Sequence, residues 1–255
     1  MIVKPSRASG SAGITIFNDK ASADDFLKQT NGEWVAQAYM QGPTYSLEVL
    51  GSHGNYFLPQ VTDLHMDAQY DCRAVTAPSR LPAERVAEFE KISLGIARLI
   101  DLNGLMDVEV VESKGELRVL EIDARFPSQT PTAVYHSIGF NMVKALGEMF
   151  MHGQMASVPD PVIARGVIYE HISVSGGTLG FAGEHILSNT GPLRRVPGFY
   201  GADEAITNYA EGRKQWVATL IVTGKDRQTA IEKRNRVIED IKHDFGLEGR
   251  ISVLP

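Results

Sequence analysis

Three carboxylates and a guanidinium pose the first chemical question. They stand in the run from Gly104 to Arg125, G-L-M-D-V-E-V-V-E-S-K-G-E-L-R-V-L-E-I-D-A-R. Two β-branched stretches, residues 107–111 and 117–122, flank Ser113-Lys114-Gly115-Glu116, which is the pattern of a hairpin. A three-residue loop centred on Gly115 places Glu109 opposite Glu121. Side chains alternate faces along a strand, so Glu121 and Asp123 share the face of Glu109, with Arg125 beside them. Val108, Val110, Leu120 and Ile122 then face a core, and Arg118 breaks the alternation close to the loop. Convergent carboxylates repel unless a cation sits among them. All-oxygen donors suit Mg2+ or Mn2+, ions that also hold substrate phosphates. The alternative is an ordinary solvated sheet face.

Other elements must position such a group. Residues 2–4 and 14–17 pattern as strands around S-R-A-S-G-S-A-G, residues 6–13. This loop is small, polar and glycine-containing, so its amides can approach a phosphate. It is not a Walker A loop, which ends in Gly-Lys-Ser/Thr and opens a helix. Here Lys4 precedes the loop and a β-branched strand follows, which suggests either a flap over phosphates or a plain hairpin tip. Residues 21–30 pattern as a helix ended by Asn31-Gly32. Residues 34–40, 45–50 and 56–64 fit an antiparallel meander around Gln41-Gly42-Pro43 and Gly54-Asn55. Residues 82–102 form the clearest helix, with Pro82 in its first turn and an apolar stripe of Val86, Phe89, Ile92, Ile96 and Leu99. Asn103-Gly104 ends it and delivers the chain into the carboxylate hairpin.

Beyond Arg125, residues 126–132 read F-P-S-Q-T-P-T, a polar loop, and residues 133–151 pattern as helical with a break near Gly139. Pro159 and Pro161 mark a linker. Residues 163–174 and 216–223 pattern as strands, and Asp226 caps a last helix with Ile231, Ile238, Ile241 and Phe245 on one stripe. Residues 251–254 read as a closing strand.

Composition narrows the classes. A chain of 255 residues with 43% hydrophobic content can bury a large core in one or two domains. A formal net charge of −6 argues against a nucleic-acid backbone as partner. No run of 18 apolar residues and no signal-peptide pattern occurs, so no membrane partner is expected. Cys72 is the single cysteine, which excludes an internal disulfide, points to the cytoplasm and suits a small buried residue. The seven histidines show no ligand spacing and are taken as structural. The chain opens directly on a strand-like run, so a domain ahead of it is expected to be missing.

The order of the pieces carries more than any one of them: Lys4 and the glycine-containing flap, a strand ending in a hinge, a helix, then a carboxylate hairpin ending E-x-D-x-R. This order, over about residues 1–150, resembles the ATP-grasp superfamily of carboxylate–amine ligases. The run E-I-D-A-R-F-P-S-Q-T-P-T-A, residues 121–133, and the strand Ser46-Leu47-Glu48-Val49 resemble the ligases of pyrrolysine biosynthesis, which join the side-chain amine of lysine to 3-methyl-D-ornithine with ATP. Most superfamily members have Asn where this chain has Asp123. Thr44 stands where many have a Glu for the ribose.

The resemblance implies an α+β, ATP-grasp fold: an ATP-grasp domain over 1–154, with a flap subdomain about 1–40 and a metal-holding part about 41–154, and a small C-terminal α/β subdomain over 155–255. It implies that Lys4 and Arg73 contact the nucleotide's phosphates, that Ser9, Gly10, Ser11 and Gly13 wrap them, and that Gln37, Ala38, Tyr39 and Met40 form the adenine hinge. Glu109, Glu121 and Asp123 would hold two Mg2+ (or Mn2+) ions. Arg125 and Lys4 would offset charge in catalysis, and Ser46, Glu48, Ser128 and Thr130 would grip amino-acid substrates. The implied activity is ATP-dependent ligation of 3-methyl-D-ornithine to lysine. The alternatives are another ATP-grasp ligase or carboxylase of purine-pathway or D-alanine ligase type, or an inactive nucleotide-binding module. Relatives carry a Rossmann-like domain before the flap. A separately encoded N-terminal domain and a homodimer are the protein partners considered.

Overall fold

Apolar residues at alternate positions give the first strand a buried Val3 between partly exposed neighbours. In the computed structural model, which describes residues 1–8, 11–153, 164–248 and 254, this strand is the centre of a small antiparallel sheet. β1 (Ile2–Pro5) pairs with β2 (Thr15–Ile16) on one side and β3 (Trp34–Gln37) on the other. Helix α1 (Lys20–Gln29) links β2 to β3, and the Asp19 carboxylate accepts the Ser22 amide at 2.8 Å, which satisfies an orphan donor of the first turn. Phe26 packs between Phe17 and Trp34, with ring centroids 5.3 and 5.2 Å apart, and so seats the helix on the sheet.

The expected meander of residues 34–40 with 45–50 does not form. β3 stops at Gln37 and completes the first sheet. Residues 38–43 then cross to a second sheet without pairing as a strand. Gly42 lies so close to the strand carrying Glu112 that an added Cβ would sit 1.8 Å from the Glu112 carbonyl oxygen, while Pro43 accepts the Glu112 amide at 2.9 Å. The crossing is therefore clamped against the hairpin strand.

Among the described residues the second sheet has eleven strands: β4 (Thr44–Ser52), β5 (Asn55–Phe57), β6 (Thr62–Met66), β7 (Cys72–Ala77), β8 (Gly104–Ser113), β9 (Glu116–Asp123), β10 (Gly166–Ser175), β11 (Thr178–Phe181), β12 (Arg194–Pro197), β13 (Glu204–Thr207) and β14 (Trp216–Gly224). Their order is β12-β13-β14-β10-β7-β6-β4-β8-β9, with β5 on β4 and β11 on β10. Residues 56–64, expected as one strand, are split, because Pro59 has no amide to give a ladder. The strands beyond residue 164 continue the same sheet through the β7–β10 ladder. The expected boundary at 154/155, the linker prolines 159 and 161, and residues 251–253 of the expected last strand lie outside the described residues.

Helix α2 (Ala83–Leu99) buries Phe89 and Ala97 against Leu47, Val49, Val108 and Val110, while Leu99, expected on its apolar face, is its last residue and 87% exposed. α3 (Thr130–Ile138) and α4 (Met142–His152) part at Gly139, whose φ of 73° suits a left-handed helix end. α5 (Arg227–Phe245) is capped by Asp226, which accepts the Thr229 amide at 2.7 Å, and buries Ile238 and Ile241. Among the described residues no helix is long and apolar enough to cross a membrane.

Phe89 is wholly buried under the strands that carry the carboxylates. Phe89→Ala is expected to lower unfolding stability by about 3–5 kcal/mol, seen as an earlier urea midpoint with an unchanged slope.

Candidate active site

The hairpin reaches the expected pairing by a different route. Ser113 pairs with Glu116, leaving a two-residue turn of Lys114 and Gly115, with φ of 53° and 79°. Positive φ at both positions matches the twist of a tight hairpin. The odd residue is taken up by a bulge at Leu120: Val110 pairs with Val119, yet Glu109 pairs with Glu121. Asp107 pairs with Asp123. On the other side of β8, Ser46 lies opposite Glu109 and Glu48 opposite Asp107. Six polar groups thus share one face of β4, β8 and β9: Ser46, Glu48, Asp107, Glu109, Glu121 and Asp123. Asp107 was not singled out from sequence, although it stands two residues before Glu109, at the spacing that signals a shared face. Ile122, expected in the core, is 45% exposed because β9 is the edge of the sheet.

Hydrogen bonds knit this face. Ser46 Oγ donates to Asp107 Oδ1 at 2.6 Å, and Thr130, the first residue of α3, donates to Glu48. Arg125 pairs with Asp123 at 2.7 Å from an exposed position. Burial, with the Asp107 charge adding, raises the Glu48 carboxyl above its ordinary value. Burial raises Asp107 as well, against the pull of the Ser46 hydroxyl. Glu109 is pushed up to about 8 by burial first, then by the charges of Asp107, Glu121 and Asp123. Burial also raises Glu121, while Lys4 and Arg125 pull it down. A protein face that holds its own carboxylates in excess of nearby cations is one that a divalent cation fits, and the donors are all hard oxygens.

Beside this face opens a cleft of about 780 Å³, bounded by the small sheet, the 38–43 crossing and the hairpin. Of the expected ATP-site residues, Lys4, Ser11, Gln37, Ala38, Tyr39, Met40, Arg73, Glu109 and Glu121 line it together. Thr44 also lines it, with its hydroxyl donating to the Leu64 carbonyl at 3.0 Å. Asp123, Arg125, Ser46, Glu48 and Thr130 belong to the adjoining carboxylate face. Ser128 is drawn elsewhere, donating to Glu184 at 2.8 Å. Gly13, with φ of 78°, turns against the Pro5 ring. Ser9 and Gly10 lie outside the described residues.

The small sheet is fastened over the cleft by Tyr70, a residue that sequence reasoning passed over. Ser11 Oγ donates to the Tyr70 carbonyl at 2.7 Å, and the Tyr39 and Tyr70 hydroxyls lie 3.4 Å apart. The loop carrying Tyr70 is itself tied down. Asp67 accepts the amides of Gln69, Asp71 and Gly183, and Asp71 accepts the His185 amide at 2.9 Å. Asp67, Asp71 and His185 gather within 4.8 Å, but these backbone bonds account for the grouping as a loop knot. Cys72 has its thiol pushed up by burial, in keeping with a packing role.

A family model described as an ATP-grasp domain matches residues 1–129. Over 247 residues, 96% of this chain, the sequence is 35% identical to a 3-methyl-D-ornithine–L-lysine ligase of Methanosarcina mazei and 34% identical to one of Methanosarcina acetivorans. The chain spans 62% and 64% of the length of these curated relatives. Among solved structures, the biotin carboxylase domain of Hydrogenobacter thermophilus 2-oxoglutarate carboxylase, in complex with MgADP, ADP and bicarbonate, superposes with a TM-score of 0.72 at 17% identity, over 93% of this chain and 56% of that one. An L-amino acid ligase from Bacillus licheniformis superposes with a TM-score of 0.60 at 17% identity, over 94% and 61%. Those two likenesses concern the fold.

The raised Glu109 carboxyl has a consequence for pH. Without metal, the folded chain holds a proton on Glu109 that the unfolded chain releases near ~4.3. Its stabilising contribution is present below that value and is lost as pH climbs through about 8. A cation bound there displaces the proton, so affinity rises with pH. The Mg2+-induced gain in Tm is expected to grow from pH 6 to pH 8, and Glu109→Gln is expected to flatten that growth in a thermal-shift series.

Proposed function

The chain belongs to the ATP-grasp family, and from that premise we propose that its cleft binds Mg·ATP for ligation of a carboxylate to an amine. The substrates proposed are 3-methyl-D-ornithine and the side-chain amine of lysine, named from relatives 34–35% identical over 96% of this chain. The observation that carries the reading is the junction of cleft and carboxylate face: Glu109 and Glu121 belong to both.

A carboxylate is a poor acylating agent until one oxygen becomes a leaving group. Phosphorylation by ATP does this, and the amine then attacks the acyl phosphate. Phosphoryl transfer depends on positioning and electrostatics, so the needed parts are cations around the phosphates and a site closed to water. Lys4 and Arg73 are proposed to meet the phosphates, with Ser9, Gly10, Ser11 and Gly13 around them. Residues 37–40 are proposed to take the adenine through backbone groups. Two Mg2+ ions would be held by Glu109, Glu121 and Asp123, with Asp107 as a further carboxylate behind them, and would clamp phosphate oxygens when bound. Arg125, beside Asp123, offsets charge on the acyl phosphate. Ser46, Glu48, Thr130 and Ser128 are proposed for the amino acids, the first three as one group. The proposed division is a flap of 1–40, a metal-holding part of 41–154 and a C-terminal subdomain of 155–255.

Titration calorimetry on this chain is expected to show Mg·ATP binding; its absence overturns the nucleotide reading. In turnover assays, ADP release is expected with lysine and 3-methyl-D-ornithine together. Release with bicarbonate instead identifies a carboxylase. Asp123→Ala is expected to reduce Mg2+-dependent turnover by on the order of 100-fold, and unchanged turnover removes Asp123 from the ligand set.

A further inference from the structure

Arg73 owes its direction to a fault in a ladder. β6 and β7 pair His65 with Ala74 and Met66 with Cys72, so Arg73 is the extra residue of a β-bulge. Bulges re-aim a side chain out of the strand's alternation and recur beside functional sites. Arg73 lines the cleft, and its Nη1 also donates to Glu170 Oε1 at 3.3 Å. Glu170, on β10, is fully buried. From α5, Arg234 grips both of its oxygens, Nε to Oε2 at 2.7 Å and Nη2 to Oε1 at 2.8 Å. Arg234 is itself only 1% exposed and sits 4.9 Å from the centre of the Phe181 ring on β11.

A fork of two bonds fixes the plane of the Glu170 carboxylate. Its Oε1, which accepts from Arg234 Nη2, keeps a second lone pair, and Arg73 Nη1 meets that oxygen at 3.3 Å. Arginine is among the side chains with most rotamer freedom to lose on binding. An arginine already held at the cleft wall loses less of it when a ligand arrives. We propose that Glu170 is a positioning residue for nucleotide binding: it holds the Arg73 guanidinium at the phosphate end of the cleft, and Arg234 holds Glu170. This rests on the reading of Arg73 as a phosphate contact.

The test is calorimetry on this chain with two probes, Mg·ATP and adenosine, for Arg73→Ala, Glu170→Gln and the double variant. Glu170→Gln keeps the side chain's size and one acceptor. It is expected to weaken Mg·ATP about tenfold and to leave adenosine nearly unchanged, and the double variant is expected to be no worse than Arg73→Ala. Equal weakening of both probes marks general loosening and overturns the proposal. If Arg73→Ala weakens Mg·ATP while Glu170→Gln does not, the proposal falls and the phosphate role of Arg73 stands. If Arg73→Ala leaves Mg·ATP intact, both fall. Should Glu170→Gln not fold, Arg234→Lys, which keeps the charge and loses the fork, is expected to show the same selective loss. Equal loss of both probes, or none, overturns the proposal there too.

Discussion

Like charges gathered on one face of a rigid sheet are the constraint on which the rest of this structure turns. Cross-strand neighbours lie ~5 Å apart, and two carboxylates at that distance repel by about 3 kcal/mol at an effective dielectric of 20. The chain places two such pairs side by side, Glu109 with Glu121 and Asp107 with Asp123, and adds Glu48 opposite Asp107. Exposed Arg125 and partly exposed Lys4 are screened by water and offset only part of this. What holds the face together is the ladder and the apolar layer beneath it, where Leu47, Val49, Val108 and Val110 pack on Phe89. The strain shows in protonation: burial first, and then the charges of Asp107, Glu121 and Asp123, push the Glu109 carboxyl up to about 8. Raised carboxyl groups on such a face favour partial protonation in the absence of a cation, which ties its metal chemistry to pH.

The second requirement is a separate wall for the cleft. Had β3 continued into β4 as a meander, the small sheet would have been an extension of the large one and no gap would lie between them. The unpaired crossing at 38–43 prevents this, and Gly42 permits it by coming within a missing Cβ of the Glu112 carbonyl. Tyr70 then fastens the wall from outside both sheets, through Ser11 and Tyr39. Its loop is anchored to residues 183–185, so a wall built from the first forty residues is held by contacts that begin far along the chain.

What was legible in the sequence follows from range. The pairing of Glu109 with Glu121 depends on residues twelve apart, and strand alternation suffices to predict it even though the turn is shorter than expected and a bulge restores the register. The caps at Gly139 and Asp226 are equally local. Asp107 was hidden because it sits inside the apolar run G-L-M-D-V, where the eye takes the strand for core. β7, β12 and β13 are short and rely on neighbouring strands rather than on their own pattern. The site residues of the cleft were legible as an order of pieces, whereas the partners of Ser46 and Ser128 lie 61 and 56 residues away and leave no local mark.

The same point governs how the second half of the chain relates to the first. Glu170 and Arg234 lie inside an apolar strand and on the buried stripe of a helix, positions where sequence patterning expects hydrophobic residues. Burying a charge there is costly unless it is paired and hydrogen-bonded, and here both oxygens of Glu170 are. A hydrophobic pair would pack these positions with less electrostatic cost, but it would offer nothing to Arg73. Because β10 lies next to β7 in one continuous sheet, the carboxylate can reach across the ladder to the bulge. Continuity of the sheet is thus what lets a buried ion pair in the second half act on a cleft built by the first.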